Sequence, residues 1–151
     1  MQRLERATQL AAEPAQVFAF LVDPDNLPRW QPGIRVVERL SPPPTVLGSS
    51  ANVIRDVMGQ AVAVTLTVTD LVPDRRLSLS TSASGFGVTV TADLEPAPDA
   101  GTRLTVSATV KAENPILMAL EGMIASAGVA ELDVGLQRLR EVFAAVPEPG
   151  A

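Results

Sequence analysis

The chain has 151 residues, with 17 acidic against 12 basic side chains and a formal net charge of −5. That length is about one domain, able to bury roughly two-thirds of its unfolded surface without a covalent staple. Charge is dispersed rather than blocked, so the concentrated basic patch that phosphate binding needs is missing and no nucleic-acid partner is expected.

The residue inventory narrows the chemistry further. There is no cysteine, no histidine and no tyrosine. Disulfides and thiolate chemistry are excluded, and so are the commonest general base, the commonest zinc ligand and a phenolic acid. Carboxylates are scattered singly, which suggests no metal cage, and no nucleophile elbow, P-loop or dinucleotide fingerprint appears. No cofactor is therefore expected. No apolar run approaches the ~20 residues of a membrane span, and Met1 to Arg6 is charged and lacks an apolar signal core. The expectation is a cytoplasmic protein without integral membrane association.

In chain order, residues 4–10 read as a first strand. Glu13-Pro14 opens a helix whose apolar face is Val17, Phe18, Phe20 and Leu21. Asp23-Pro24 stops it, because the residue before a proline avoids the α region. Residues 25–30 read as a second short helix, ended by Pro32-Gly33. A strand over 34–40 leads into the stiff Ser41-Pro42-Pro43-Pro44 loop. Residues 50–57 and 60–71 then form a hairpin turning at Met58-Gly59. Its second arm alternates: Val62, Val64, Leu66 and Val68 share one face, and Ala61, Ala63, Thr65, Thr67 and Thr69 the other. That period of two means one buried face and one wet face. Strands follow over 76–81, 86–94 and 102–111, the last two turning Val88, Val90, Ala92 and Leu94, and Leu104, Val106, Ala108 and Val110, inward. The final segment, 115–146, has helical spacing through Ile116, Leu120, Met123 and Ala127, then Leu132, Leu136, Leu139, Phe143 and Val146. Pro115 suits the first turn of that helix, which would run roughly 48 Å at about 1.5 Å per residue. The apolar register slips beside Gly128, where a kink or break is expected.

The order is strand, two helices, six strands, long helix. Together with Glu13-Pro14-Ala15-Gln16-Val17-Phe18, Asp23-Pro24, Leu27-Pro28-Arg29-Trp30-Gln31-Pro32-Gly33, Gly48, the stretch from Val68 to Leu77, Gly101-Thr102-Arg103-Leu104 and Leu136-Gln137-Arg138-Leu139, it resembles the START-like or SRPBCC superfamily, which includes polyketide cyclase/dehydrase-like proteins. The resemblance implies an α+β helix-grip fold: a curved antiparallel sheet of about seven strands wrapped around the long C-terminal helix, with two short helices after the first strand. Residues 1–146 would be one domain and 147–151 a tail. It also implies an apolar cavity between sheet and helix in which hydrophobic molecules are bound or acted on.

Within that frame several residues are candidates. With a two-residue turn at Met58-Gly59, Arg55 joins Ala51, Val53 and Val57 on the inner face. An inward arginine is costly unless paired, and it would suit a carboxylate or carbonyl of a ligand; a register change of one residue would send it to solvent. Trp30 is a candidate for the cavity mouth, or packs the short helix onto the sheet edge. Phe86 stands at a strand entrance facing the cavity, or in the ordinary core. Met118, Met123 and Met58 are candidates for a soft lining, against the commoner reading as core methionines. Val64, Val90 and Val106 complete the expected lining. Gly122, Gly128 and Gly135 thin the helix and would leave space against the sheet. Glu113 and Glu121 are the carboxylates near the expected cavity end of the helix, expected solvated, while Asp23, Asp25 and Asp74 read as turn and cap residues. The leading reading is a carrier of a small hydrophobic, lipid- or polyketide-like ligand. The alternatives are a polyketide cyclase or dehydratase, weakened by the missing His and Tyr, and a regulatory interaction module without a ligand. A homodimer through a sheet edge or the helix face stays open.

Overall fold

A computed structural model describes residues 1–57, 59–83 and 85–144. Seven strands form one fully antiparallel sheet: β1 (Gln2–Leu10), β2 (Ile34–Arg39), β3 (Ser50–Val57), β4 (Gln60–Val72), β5 (Arg76–Ala83), β6 (Phe86–Ala97) and β7 (Gly101–Ala112). Their order across the sheet is β1-β7-β6-β5-β4-β3-β2. Only β1 is out of sequence; it crosses to pair with β7, placing Leu4 opposite Ala108 and Thr8 opposite Leu104. The alternation in β4, β6 and β7 is realised as expected. Val64, Val68, Ala92, Leu94, Leu104 and Val106 are buried. The other face carries hydroxyl pairs such as Ser78 with Thr91 (2.7 Å) and Ser80 with Thr89 (3.0 Å).

The link between β1 and β2 holds α1 (Pro14–Leu21), a 3₁₀ turn at Pro24–Asn26 and α2 (Leu27–Trp30). Gln16 Oε1 accepts from the Glu13 backbone N–H at 3.1 Å, satisfying an otherwise orphaned donor at the start of α1. Asp23 caps the 3₁₀ turn by accepting from the Asp25 N–H at 3.0 Å. Thr102, fully buried, donates to the Ala12 carbonyl at 2.7 Å and fastens the entry of α1 to β7.

The long helix α3 spans Glu121–Val142. It starts later than the proline rule suggests. Residues 115–117 form a turn in which the Leu117 N–H reaches the Asn114 side chain (3.1 Å), and a 3₁₀ turn occupies Met118–Leu120. The cause is packing: Leu117 is drawn down onto Phe86, Val110 and Ala112, over Gly85, before the helix begins. The expected break at Gly128 is absent, for α3 runs through it unbroken. Val146 lies outside the described residues.

The core is lopsided. Leu136 and Leu139 of α3 pack with Val17, Phe18 and Leu21 of α1 and with Leu94, Leu104 and Val106 of the sheet. Phe20 meets Phe143 edge-on at 5.4 Å, locking the same end. Toward its N-terminus, α3 turns small residues to the sheet, and there the two layers do not fill the space between them.

A candidate ligand cavity between sheet and helix

That unfilled space is a cavity of about 300 Å³, within the size range of small-molecule sites. Its floor is the inner face of the sheet: Val64, Val88, Val90, Val106, Ala108 and Val110. Its roof is one stripe of α3 and the turn before it, Leu120, Ile124, Ala127, Gly128, Glu131, Leu132 and Gly135. Steps of three and four along that stripe keep one helical face toward the sheet. Trp30, Gln31 and Pro32 close one side, and Arg55 and Asp56 another.

The two cavity glycines of α3 have separate reasons to be glycine. At Gly135 a Cβ would stand 2.9 Å from the Trp30 carbonyl oxygen, so the helix and α2 touch backbone to backbone there. At Gly128 a Cβ would meet, among the described residues, only Leu4, at an ordinary 3.5 Å, so this glycine leaves room rather than avoiding a clash.

Arg55 is where the hairpin register puts it. Arg55 pairs with Val62 across β3 and β4, and Val53 with Val64, which sets its side chain on the inner face. Its Nη2 donates to Glu131 Oε2 of α3 at 2.5 Å. The side chains are 27% and 37% exposed, so the pair is half-withdrawn from water. Gly33 makes space for it: a Cβ there would lie 2.6 Å from Glu131 Oε1 and 2.9 Å from Arg55 Nη2. Asp56, the next wall residue, is held by Arg35 through two bonds, at 2.8 and 3.0 Å. Arg55 Nε and Thr81 Oγ1 are closed to solvent and have no hydrogen-bond partner among the described residues.

Of the residues expected at the site, Arg55, Trp30, Phe86, Val64, Val90 and Val106 all line the cavity. Met118 and Met123 do not. They are 57% and 54% exposed, because the late start of α3 and its phase point Leu120 and Ile124 inward instead. Met58 lies outside the described residues. Glu121 is not a solvated surface group. It is buried, outside the lining, with the α-amino group of Met1 2.7 Å from its Oε2. Glu113 is exposed and also outside the lining. Glu131, Gln31 and Thr81 were not anticipated. The one signal for Glu131 was indirect: an inward arginine needs an acid. Among the described residues no group of three or more His, Cys, Asp or Glu could hold a metal ion, and no helix is long and apolar enough to cross a membrane.

A curved antiparallel sheet closed by a long C-terminal helix over an apolar cavity defines a helix-grip protein of the START type. The sequence profile described as "Polyketide cyclase / dehydrase and lipid transport" matches residues 1–144, and the chain belongs to that family. Solved structures agree on the fold. A START superfamily protein from Mycobacterium smegmatis is 16% identical, with a TM-score of 0.75, covering 93% of this chain and 98% of that one. Ara h 8.0201 is 16% identical at 0.73, covering 94% and 97%. The di-domain ARO/CYC protein BexL, from the BE-7585A biosynthetic pathway, is 17% identical at 0.74, covering 96% of this chain and 48% of that one. At such identities the likeness is one of fold. No curated protein sequence matches the chain significantly.

Proposed function

We propose that this protein binds a small hydrophobic molecule in the cavity between the sheet and α3. The observation that carries the reading is the cavity itself: about 300 Å³ of space walled by valines, alanines, Phe86 and Trp30. An unfilled space of that size forfeits packing that a well-filled core would keep, and the small residues of α3 hold it open. Binding is driven by apolar burial, with a few polar groups setting orientation. Val64, Val90, Val106, Phe86 and Trp30 form the wall, and Arg55, held by Glu131, contributes as a hydrogen-bond donor. The family, described by cyclase, dehydrase and lipid-transport roles, supports this class of ligand.

The test is titration with the neutral fluorophore N-phenylnaphthylamine, read by its emission and by quenching of Trp30, the single tryptophan. One equivalent is expected to bind. Gly128→Leu, whose side chain would occupy the cavity, should weaken binding at least about tenfold while the protein stays folded. Equal binding by a folded Gly128→Leu protein would place the fluorophore elsewhere and defeat the proposal.

One observation favours a second reading. Glu131 puts a carboxylate in the cavity wall beside an arginine, a proton acceptor next to a group that stabilises a developing oxyanion. That is the minimum for enolisation of a bound ketone, in line with a cyclase-type role. Catalysed exchange of α-protons of a bound methyl ketone into deuterium oxide, lost in Glu131→Gln, would support it. Exchange at the uncatalysed rate would exclude it.

A further inference from the structure

We infer that the molecule this cavity selects is uncharged and carries a hydrogen-bonding oxygen, and that the side-chain amide of Gln31 reads that oxygen. The inference rests on the ligand-binding reading above and specifies its chemistry.

The charges in the wall carry the first half. Three ionised side chains line the cavity: Arg55, Asp56 and Glu131. All three are ion-paired, Arg55 with Glu131 through Nη2 and Asp56 with Arg35. A carboxylate ligand that displaced Glu131 from Arg55 would strand a half-buried carboxylate without its counter-ion. One that used the remaining N–H donors of Arg55 would share that cation with Glu131 and sit beside two carboxylates. Both arrangements are penalised. The net charge of −5 works in the same direction. A cationic ligand meets the mirror-image obstacle, because both wall carboxylates are taken. Neutral molecules disturb neither pair.

Gln31 carries the second half. Its backbone is fixed: its N–H donates to the Leu27 carbonyl at 2.8 Å, and its carbonyl accepts from the Ile34 N–H at 3.2 Å. The residue is half-buried between Trp30 and Pro32 and lines the cavity. Yet its side-chain amide makes no hydrogen bond within the described residues, whereas Asn26, Gln16 and Gln137 nearby in the chain or on the helix all find partners. A primary amide offers two donors and an acceptor. It can hold a ketone, an ester carbonyl or a hydroxyl equally well and asks for no charge. The ligand class is therefore an aliphatic or polyketide-like molecule bearing carbonyl or hydroxyl oxygens, and not a free fatty acid.

Competition against N-phenylnaphthylamine with three probes of equal chain length, dodecanol, the corresponding methyl ketone and dodecanoate, tests this. At neutral pH the alcohol and the ketone should displace the fluorophore, and dodecanoate should be at least about tenfold weaker. Glu131→Gln frees Arg55 and should raise the affinity for dodecanoate relative to dodecanol about tenfold or more. Gln31→Met should weaken the ketone severalfold relative to the fluorophore. If dodecanoate binds the native protein as tightly as dodecanol, or if Glu131→Gln leaves their ratio unaltered, the neutral-ligand inference is wrong while the cavity reading stands. If Gln31→Met leaves ketone affinity intact, Gln31 is not the reader. If the fluorophore itself does not bind, the ligand-binding proposal falls and takes this inference with it.

Discussion

Thr81 shows how a single side chain can separate stability from function. Its hydroxyl is buried in the cavity wall without a partner among the described residues, and an unsatisfied buried hydroxyl costs about 1–3 kcal/mol. Thr81→Val removes the hydroxyl and keeps the shape. The melting temperature should rise, by the equivalent of about 1 kcal/mol. If the hydroxyl helps to hold a ligand oxygen, ketone affinity should fall in the same variant. A lower melting temperature would show that Thr81 has a partner in solution. At Gly33 the contacts are the far ends of two flexible side chains. Gly33→Ala should therefore cost less than about 1 kcal/mol in stability. It should also push the Arg55–Glu131 pair aside and raise dodecanoate affinity. A large loss of stability with unchanged selectivity would contradict this account of the glycine.

At the scale of elements, α3 sets both the shape and the emptiness of the site. Two of its glycines should respond to alanine with opposite signs. Gly122 is exposed with nothing within 4 Å of an added Cβ, so Gly122→Ala should stabilise by up to about 1 kcal/mol through helix propensity. Gly135→Ala gains the same propensity but drives a Cβ to 2.9 Å from the Trp30 carbonyl oxygen, backbone that cannot swing away. It should destabilise by about 1–3 kcal/mol, and thermal melts of the two variants side by side would expose any error in sign. What could be read in advance about these elements follows the same physics. The strands were legible because each has one wet face, so alternation survives in the sequence of β4, β6 and β7. The inward placement of Arg55 followed from a two-residue turn. The start of α3 was not legible, because it depends on Leu117 reaching Phe86, Val110 and Ala112 across the end of the sheet. Local rules at Pro115 know nothing of that contact. Met118 and Met123 were misplaced because the inward stripe runs through Leu120, Ile124 and Ala127, which leaves both methionines exposed. Gly128 read as a break, whereas it is a concession to the space beside Leu4.

For the whole molecule, packing is extensive at one end and sparse at the other. α1, the C-terminal half of α3 and the adjoining ends of β6 and β7 share one core, while the N-terminal half of α3 rests on two smaller clusters around Leu4 and Phe86. Local opening should follow that division. In hydrogen exchange, amides of α3 before Gly128 should lose protection before those of Leu136 and Leu139, and a bound apolar molecule should slow the first group selectively. Uniform protection along α3 would mean that the cavity is not a weak point of the fold. The Arg55–Glu131 pair belongs to this scale too. It joins residues 76 positions apart, so its existence could be required by an inward arginine but its acid could not be picked from local pattern alone.

The most direct measurement is native mass spectrometry of the protein as purified, set against its denatured mass. The expected result is an additional mass of a few hundred daltons that leaves on denaturation and belongs to an uncharged, oxygen-bearing apolar molecule. A bare native mass, together with failure to take up N-phenylnaphthylamine or dodecanol when these are added, would contradict the claim that this cavity is a ligand site.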